Sequence, residues 1–220
     1  MYEQVHGSFM PEYFGGTDEL LLLEDLTGAD WPPPWTQQRI ALVLAALDEL
    51  HGTRPPAGLP RLDEMRGAVA GWPAVRDDPA LLLATGVCSA EWLDTVLPAL
   101  VQAAAEAELG GDELLHFDVR SDNLAFRGGQ AVLVDWNITC AGNGRFDVAF
   151  WLPSLRLEGG PQPWEVLPDA GALAAVVAGF FAARAGLPPP PGAPTVRDFQ
   201  LRQLEVALPW AARELGQAPP

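Results

Sequence analysis

The segment Leu114–Asp147, LLHFDVRSDNLAFRGGQAVLVDWNITCAGNGRFD, constrains this chain more than any other. It places His116, Asp118 and Asn123 in the order H-x-D-x-x-x-x-N. Two short apolar stretches, NLAF and AVLV, follow with RGGQ between them, and Asp135 comes directly after the second. A Gly-Gly pair between two apolar stretches predicts a β-hairpin. The segment therefore predicts a loop and a hairpin that bring polar side chains together at one end of a small sheet.

These residue types, in this order, suit phosphoryl transfer. A carboxylate such as Asp118, just past a strand, can accept or orient the proton of an attacking hydroxyl. The amide of Asn123 and the carboxylate of Asp135 offer oxygen ligands of the kind that Mg²⁺ prefers. Taken singly, H-x-D and Asp-Asn pairs are common in turns. Their order, spacing and hairpin context together favour a Mg²⁺-dependent phosphotransfer site over a purely structural interpretation.

Other polar residues near this segment are predicted to support the loop. The ring of His116 is expected to hydrogen-bond backbone and hold the shape of the loop. Asp147 is expected to anchor the catalytic loop or to cap the helix that it begins. Arg120 has two interpretations, a contact to phosphate or an ion pair with a nearby acid. His51 is expected to pack at the end of a helix.

Composition bounds the class of protein. With 220 residues, of which 49% are hydrophobic, the chain can bury a core. A net charge of −16 argues against nucleic acid and anionic membranes as partners, and is compatible with a cationic small molecule. The alternative is that the acidity only keeps the protein soluble. No apolar run reaches the roughly 18 residues that span a bilayer, and no signal-peptide pattern begins the chain. Two isolated cysteines are predicted to be free thiols in a cytoplasmic protein, with one disulfide between them as the alternative.

The patterns along the chain indicate strands at the start and a mostly helical body. A turn is predicted at residues 15–18, and the apolar run ELLLLEDL at 19–26 is predicted to form a buried strand. Further along, helical periodicity and capping residues predict helices at 37–51, 89–109, 147–155, 168–186 and 197–215. Pro98 is expected to kink or break the second of these helices.

On these motifs the chain resembles the aminoglycoside phosphotransferase family, a branch of the protein-kinase-like fold. HFDVRSDN is similar to the catalytic loop of that family, and LVDW is similar to the end of its metal-binding strand. LLLEDLTG resembles the last strand of the N-terminal lobe and the hinge of that family. ALDELHG resembles a family helix that ends in Leu-His, and GRFDVAFWLPSL resembles the Asp-led helix that follows the metal-binding strand. The resemblance covers nearly the whole chain, and its catalytic-loop and metal motifs are the specific part.

The resemblance implies a fold and a set of roles. The fold is α+β and protein-kinase-like, with a truncated N-lobe sheet and hinge at residues 1–27 and a mostly helical C-terminal lobe with an embedded hairpin at 28–220. Asp118 is the implied catalytic base, and Asn123 and Asp135 are the implied Mg²⁺ ligands. The backbone of Glu24 and Leu26 is implied to hydrogen-bond the base of ATP or GTP. The implied acceptor is a small molecule with a hydroxyl, against the acidic helical lobe near Asp118.

The sequence departs from the family pattern in two respects. Phe117 stands where the family usually has Gly, so it either crowds the loop or adds packing. All 13 basic residues are arginine, so the chain contains no phosphate-holding lysine, and its first arginine is Arg39. Only 19 residues precede Leu20, where a kinase small lobe would place about 80.

Three explanations compete for this departure: a fragment of a complete kinase, an inactive relative that binds a ligand or partner, and an active enzyme with a minimal lobe. The first is favoured, because the motifs of the large lobe are intact. The predicted function is ATP-dependent phosphorylation of an aminoglycoside-like or other small substrate. The alternative is a catalytically inactive, kinase-like binding module. The substrate and the oligomeric state are left open.

Overall fold

The computed structural model describes residues 1–17 and 19–220. Helices and short antiparallel strands alternate along it, which confirms the predicted α+β class. The chain divides into two compact units, one formed by residues 1–62 and 110–160 and the other by residues 63–109 and 161–220. The predicted boundary between residues 27 and 28 stays a prediction. Among the described residues, every helix is too short or too polar to cross a bilayer.

The described strands all lie in the first unit and pair antiparallel, two by two. They are β1 (Tyr13–Thr17), β2 (Leu20–Leu23), β3 (Glu113–Leu115), β4 (Leu124–Arg127), β5 (Gln130–Leu133) and β6 (Cys140–Gly142). β1 pairs with β2, β3 with β6, and β4 with β5. The turn predicted at residues 15–18 begins too early, because residues 15–17 belong to β1, and Asp18 lies outside the described residues.

The predicted hairpin is β4 and β5, with Leu124 opposite Leu133 and Arg127 opposite Gln130. Gly128 and Gly129 have φ values of 59° and 80°. Two successive positive φ angles make the tight turn that matches strand twist, and glycine reaches them without strain. β5 ends at Leu133, so Asp135 lies beyond the strand rather than at its last position.

Helix α1 (Gln37–His51) fills the middle of the first unit and begins and ends where the sequence predicts. The hydroxyl of Thr36 accepts a hydrogen bond from the backbone N–H of Arg39 at 3.2 Å, which caps the helix. Its apolar face contacts β3, β5 and α6 (Arg145–Leu157). This face is built from Val43, Ala46, Leu47 and Leu50.

The predicted burial of the apolar run at residues 19–26 is wrong. Leu20, Leu21 and Leu22 are 66%, 54% and 59% exposed, although successive side chains of a strand point to opposite faces. Both faces of the β1–β2 hairpin are therefore open among the described residues. Phe14 on β1 adds to this apolar surface, at 57% exposed.

The described part of the second unit is helical. Its helices are α2 (Arg66–Ala70), α3 (Trp72–Asp77), α4 (Ala80–Leu83), α5 (Ala90–Glu106), α7 (Pro163–Val166), α8 (Gly171–Ala185) and α9 (Val196–Glu214). α8 is its central helix and contacts α2, α3, α4, α5 and α9. The indole N–H of Trp72 donates to the carbonyl of Ala175 at 2.7 Å, within the core. α5 continues through Pro98, so of the predicted kink or break, the break is not observed.

Candidate active site

A single buried carboxylate organises the start of the predicted catalytic loop. Asp147, 1% exposed in the first turn of α6, accepts the backbone N–H of His116 at 2.8 Å and that of Phe117 at 2.7 Å. Its Oδ2 also lies 3.2 Å from Nε2 of His51, the last residue of α1. Asp147 therefore joins the loop after β3 to α1 and α6 through hydrogen bonds to a charged acceptor, the stronger class of hydrogen bond.

His116 is fully buried, and its contacts define one tautomer. Nε2 lies 2.9 Å from the carbonyl of Val134, which can only accept, so Nε2 carries the proton. Nδ1 in turn accepts the backbone N–H of Asp118 at 3.3 Å. Burial lowers the pKa of His116 despite the nearby carboxylates of Asp147 and Asp118. A neutral imidazole therefore bridges the loop and the end of the hairpin.

Phe117 has a φ of 69°, in the left-handed region that β-carbons disfavour. Its ring stacks on two rings of α6, at 5.8 Å from Phe146 and 5.7 Å from Phe150 between ring centroids. The interplanar angles of 30° and 14° are those of stacked rings. Of the two alternatives for this position, the structure shows packing, combined with the backbone conformation that glycine would adopt freely.

Asp118 lies between an amide and a guanidinium. Its Oδ2 accepts Nδ2–H of Asn123 at 3.0 Å, and its Oδ1 lies 3.5 Å from Nε of Arg120. Burial raises the pKa of Asp118, and the charge of Arg120 and the hydrogen bond from Asn123 offset this increase only in part. Its side chain keeps 26% exposure, so one edge of this desolvated carboxylate still faces solvent. That is the environment of a group able to take up a proton from a bound hydroxyl.

Asn123 and Asp135 lie at the same end of the hairpin, where Asn123 is bonded to the residue before Asp135. The Nδ2 group of Asn123 must face Asp118, because both the carbonyl and the carboxylate of Asp118 are acceptors, at 2.9 and 3.0 Å. Oδ1 of Asn123 is therefore directed away from Asp118. The backbone carbonyl of Asn123 accepts the N–H of Val134 at 3.0 Å, so Asp135 follows directly beside it.

This donor set fits a Mg²⁺ ion that also binds phosphate. Asp135 is exposed, and Nδ2 of Asn137 donates to its Oδ1, which leaves Oδ2 as a ligand atom. No cluster of three or more His, Cys, Asp or Glu side chains forms a metal cage within the described residues. Mg²⁺ in nucleotide sites usually takes one or two protein ligands and completes its shell with phosphate and water.

The predicted hinge lies at the other end of β4. Glu24 pairs with Arg127, and Asp30 exchanges backbone hydrogen bonds with Phe126 at 2.7 and 3.0 Å. Arg127 is four strand positions from Asn123, or about 13 Å away at about 3.3 Å per residue. A cavity of about 380 Å³ has Glu24 and Arg127 in its lining, and Leu26 is not part of it.

Backbone groups at the hinge are partly engaged. The N–H of Glu24 donates to the carbonyl of Glu12 at 2.9 Å, and the carbonyl of Leu26 accepts the N–H of Ala29 at 2.9 Å. The carbonyl of Glu24 and the N–H of Leu26 have no backbone partner among the described residues. The predicted hydrogen bonds from the hinge to the nucleotide base therefore depend on the carbonyl of Glu24 and the N–H of Leu26.

Sequence reasoning did not assign a role to two residues that contact this site. His51 was expected only to pack at a helix end, yet it reaches Asp147. Glu158, just after α6, accepts a hydrogen bond from Ser121 inside the loop at 2.5 Å. The Leu-His ending of α1 offered a signal for His51. Glu158 had no sequence signal, because 37 residues separate it from Ser121.

Comparison with known proteins gives one family match. Residues 4–189 match the family model described as "APH: Phosphotransferase enzyme family". No curated protein matches the chain.

Solved structures share the fold at low sequence identity. A choline/ethanolamine kinase family protein from Mesorhizobium loti aligns with a TM-score of 0.62 and 17% identity, over 94% of this chain and 76% of its own. An aminoglycoside phosphotransferase from Alicyclobacillus acidocaldarius aligns with a TM-score of 0.54 and 16% identity, over 95% and 76%.

A third structure carries ligands. It is a thermostable mutant of the aminoglycoside phosphotransferase APH(4)-Ia, in a ternary complex with ADP and hygromycin B. It aligns with a TM-score of 0.52 and 15% identity, over 98% of this chain and 78% of its own. At such identities the three alignments establish a common protein-kinase-like fold and nothing finer.

Proposed function

The chain belongs to the phosphotransferase enzyme family, and from that premise we propose that it transfers the γ-phosphoryl group of ATP or GTP to a hydroxyl of a small molecule with Mg²⁺. One observation carries the proposal. Asp118 and Asn123 are joined by a hydrogen bond at the start of the hairpin that leads to Asp135. A base and two oxygen ligands are three of the protein groups that phosphoryl transfer uses.

Asp118 acts as the base in this proposal. The acceptor oxygen forms a bond to the γ-phosphorus, the bond from that phosphorus to the bridging oxygen of the diphosphate breaks, and the hydroxyl proton passes to Asp118. The pKa of Asp118, raised by burial, suits a group that accepts this proton. Asn123 and Asp135 would hold the ion, and Mg²⁺ would supply neutralisation of the charge on the phosphates.

Two neighbours support Asp118. The neutral ring of His116 orients the loop by accepting the N–H of Asp118, and Asp147 fixes the backbone of the two preceding residues. We propose positioning roles for both, since both side chains are buried. Placing reacting groups accurately accounts for much of the rate in phosphoryl transfer.

The nucleotide base is proposed to lie at the hinge. The carbonyl of Glu24 and the N–H of Leu26 offer one acceptor and one donor to a purine edge. β4 has the hinge at its Arg127 end and Asn123 at its Leu124 end. A nucleotide lying along β4 with its base at the hinge would therefore place its phosphates near Asn123. ADP bound to the APH(4)-Ia mutant is compatible with this use of the fold.

The acceptor is proposed to be a hydroxyl compound that carries an amine. The net charge of −16 favours cationic ligands by electrostatic steering. Hygromycin B in one neighbour and the choline/ethanolamine kinase assignment of another point to the same chemical class. An amine-bearing sugar and a small amino alcohol are the first compounds to test.

A second candidate, ligand binding without turnover, rests on one specific observation. The chain contains no lysine, the residue that kinases use to hold nucleotide phosphates. Under this candidate the site binds nucleotide or an amine compound but transfers nothing.

Substitution of Asp118 distinguishes the two candidates. Asp118→Asn keeps an oxygen that accepts from Asn123 but removes the base, so we expect nucleotide binding to persist while turnover falls by about 10²- to 10⁴-fold. Nucleotide affinity is measured by calorimetry, and turnover by ADP release with each acceptor. Asp122→Asn is the matched control, because this carboxylate is exposed in the same loop and pairs with Arg120 at 2.7 Å.

Three results are informative. Loss of turnover in Asp118→Asn alone supports the enzyme. Full turnover in Asp118→Asn would remove Asp118 as the base. Nucleotide binding by the unaltered protein without turnover on any acceptor would favour the second candidate.

A further inference from the structure

The second half of the catalytic loop is held by a residue far away in sequence. Ser121 begins a short 3₁₀ turn, Ser121–Asn123, between the proposed base and the proposed metal ligand. Its hydroxyl donates to Oε1 of Glu158 at 2.5 Å. Asp147 fixes the first half of the loop through the N–H groups of residues 116 and 117, so Glu158 supplies a separate attachment to the second half.

Glu158 has a second donor, so both of its oxygens are engaged. The indole N–H of Trp35 donates to Oε2 at 2.7 Å. The ring of Trp35 is itself fixed by edge contacts, at 5.4 Å to Trp151 on α6 and 6.2 Å to Phe126 on β4. The carboxylate therefore connects the catalytic loop to a rigid aromatic group within the same unit.

The place of Glu158 on its helix argues against a role in helix stability. It follows the last residue of α6, where the helix dipole disfavours negative charge. Glutamate is thus locally unfavourable at this position, and the two hydrogen bonds compensate for it. A residue that is unfavourable for its own helix, yet makes two long-range hydrogen bonds beside the proposed active site, is typical of a positioning role.

We propose that Glu158 is a positioning residue that holds the turn Ser121–Asn123, and through it Oδ1 of Asn123, in the orientation that binds the divalent cation. This inference rests on the proposed function for its metal, but the ordering of the loop can be measured without any ligand. Glu158 acts on the loop through Ser121, while Trp35 is the donor to its other oxygen. A loop released from Glu158 would keep the bonds of residues 116 and 117 to Asp147 and lose the fixed direction of Asn123.

Four variants test the proposal on the full chain. Ser121→Ala removes the bond to the loop, and Trp35→Phe removes only the other bond and keeps an aromatic ring. Glu158→Ala removes both bonds. Glu158→Gln keeps both, because its oxygen can accept from the indole and its amide can donate to the hydroxyl of Ser121.

The first readout is hydrogen–deuterium exchange at the amide of Asn123, which donates to the carbonyl of Arg120 at 2.9 Å. We expect exchange about tenfold faster in Ser121→Ala and Glu158→Ala, and within about twofold of the unaltered protein in Trp35→Phe and Glu158→Gln. The amide of Phe117, bonded to Asp147, serves as the internal control and should not change.

The second readout is the ratio of ADP affinities with and without Mg²⁺, by calorimetry. We expect that ratio to fall several-fold in Ser121→Ala and Glu158→Ala and to recover in Glu158→Gln. If Glu158→Gln behaved like Glu158→Ala, charge rather than hydrogen-bond geometry would matter, and the proposal would be overturned. Unchanged exchange in Ser121→Ala would overturn it as well.

The two hypotheses fail in different ways. If the unaltered protein bound no nucleotide with Mg²⁺, the proposed function would fail. The exchange at Asn123 would then decide the inference by itself: faster exchange in Ser121→Ala and Glu158→Ala, with recovery in Glu158→Gln, would support it, and any other pattern would overturn it.

Discussion

Phe117 combines an unfavourable backbone with favourable packing. A left-handed conformation costs a residue with a β-carbon about 1–2 kcal/mol relative to its usual conformations. The two stacked contacts to α6 offset that cost, and the Asp147 carboxylate fixes the N–H of the same residue. Strain held beside a catalytic group by surrounding contacts is common at functional sites.

Two substitutions at this position separate the strain from the packing. Phe117→Ala keeps the left-handed strain and loses the stacked ring, so we expect the free energy of unfolding to fall by about 2–4 kcal/mol. Phe117→Gly also loses the ring but relieves the strain, so it should be more stable than Phe117→Ala by about 1 kcal/mol. Denaturant unfolding measures both. An alanine variant more stable than the glycine variant would contradict this account.

The ionisation of Asp118 should be visible in the pH dependence of turnover. Burial raises its pKa above the usual value of 3.8, and the base must be ionised, so turnover should fall with decreasing pH at a midpoint above 3.8. The positive charge of Arg120 lowers this pKa, so Arg120→Gln should move the midpoint to higher pH. The midpoint is measured from the profile of kcat/KM against pH. Arg76→Gln, in the other unit, should leave the midpoint unchanged; a downward shift in Arg120→Gln would contradict the assignment.

The raised pKa of Asp118 also affects how the free energy of unfolding depends on pH. A folded state that binds a proton more tightly than the unfolded chain loses stability as pH rises through the folded-state pKa. Ionised Asp118 therefore lowers stability at neutral pH.

At the scale of the elements, local sequence determines the ends of one helix, whereas packing determines which substitutions another helix tolerates. α1 begins after Thr36 and ends at His51 as its capping residues and apolar spacing predict. α8 is buried around most of its circumference, so its contacts decide its tolerance to change. A β-carbon built on Gly179 would lie 1.8 Å from the carbonyl oxygen of Ala70, so α8 and the end of α2 approach closely there.

Alanine at two glycines should have opposite effects. Gly179→Ala forces α8 away from backbone that cannot yield, so we expect a loss of about 2–4 kcal/mol in the free energy of unfolding, although alanine favours helix. Gly67, in α2, has open space around its β-carbon position and should gain up to about 1 kcal/mol as alanine. Thermal unfolding of both variants is the measurement. A Gly179→Ala protein as stable as the Gly67→Ala protein would show that the helices do not approach this closely.

At the scale of the whole molecule, the β1–β2 hairpin is the unusual surface. Three leucines and Phe14 are more than half exposed on a two-stranded sheet. Unpaired strand edges with apolar side chains favour association with other strands. We expect self-association of the protein to occur through this surface.

Polar substitution of the hairpin should reduce self-association. Leu20 and Leu22 lie on the same face of β2, and both already contact water, so the double variant Leu20→Thr/Leu22→Thr should lower hydrophobic-dye binding and apparent mass with little loss of stability. Light scattering and dye fluorescence measure the change. Leu133→Thr, at a fully buried position of β5, is the contrast and should lose about 2–5 kcal/mol of stability without that benefit. Unchanged association in the double variant would contradict this account of the surface.

The sequence by itself determined the features that depend on near neighbours in the chain. The N-cap at Thr36, the glycine turn between β4 and β5, and the order of Asp118, Asn123 and Asp135 all follow from interactions within a few residues. Only the tertiary structure decided what covers each element and which distant groups meet. It left Leu20, Leu21 and Leu22 exposed, because burial depends on neighbouring layers that no local pattern encodes. It also brought Glu158 to Ser121 and Trp35, across 37 and 123 residues, because hydrogen bonds at such separations form only once the chain has folded.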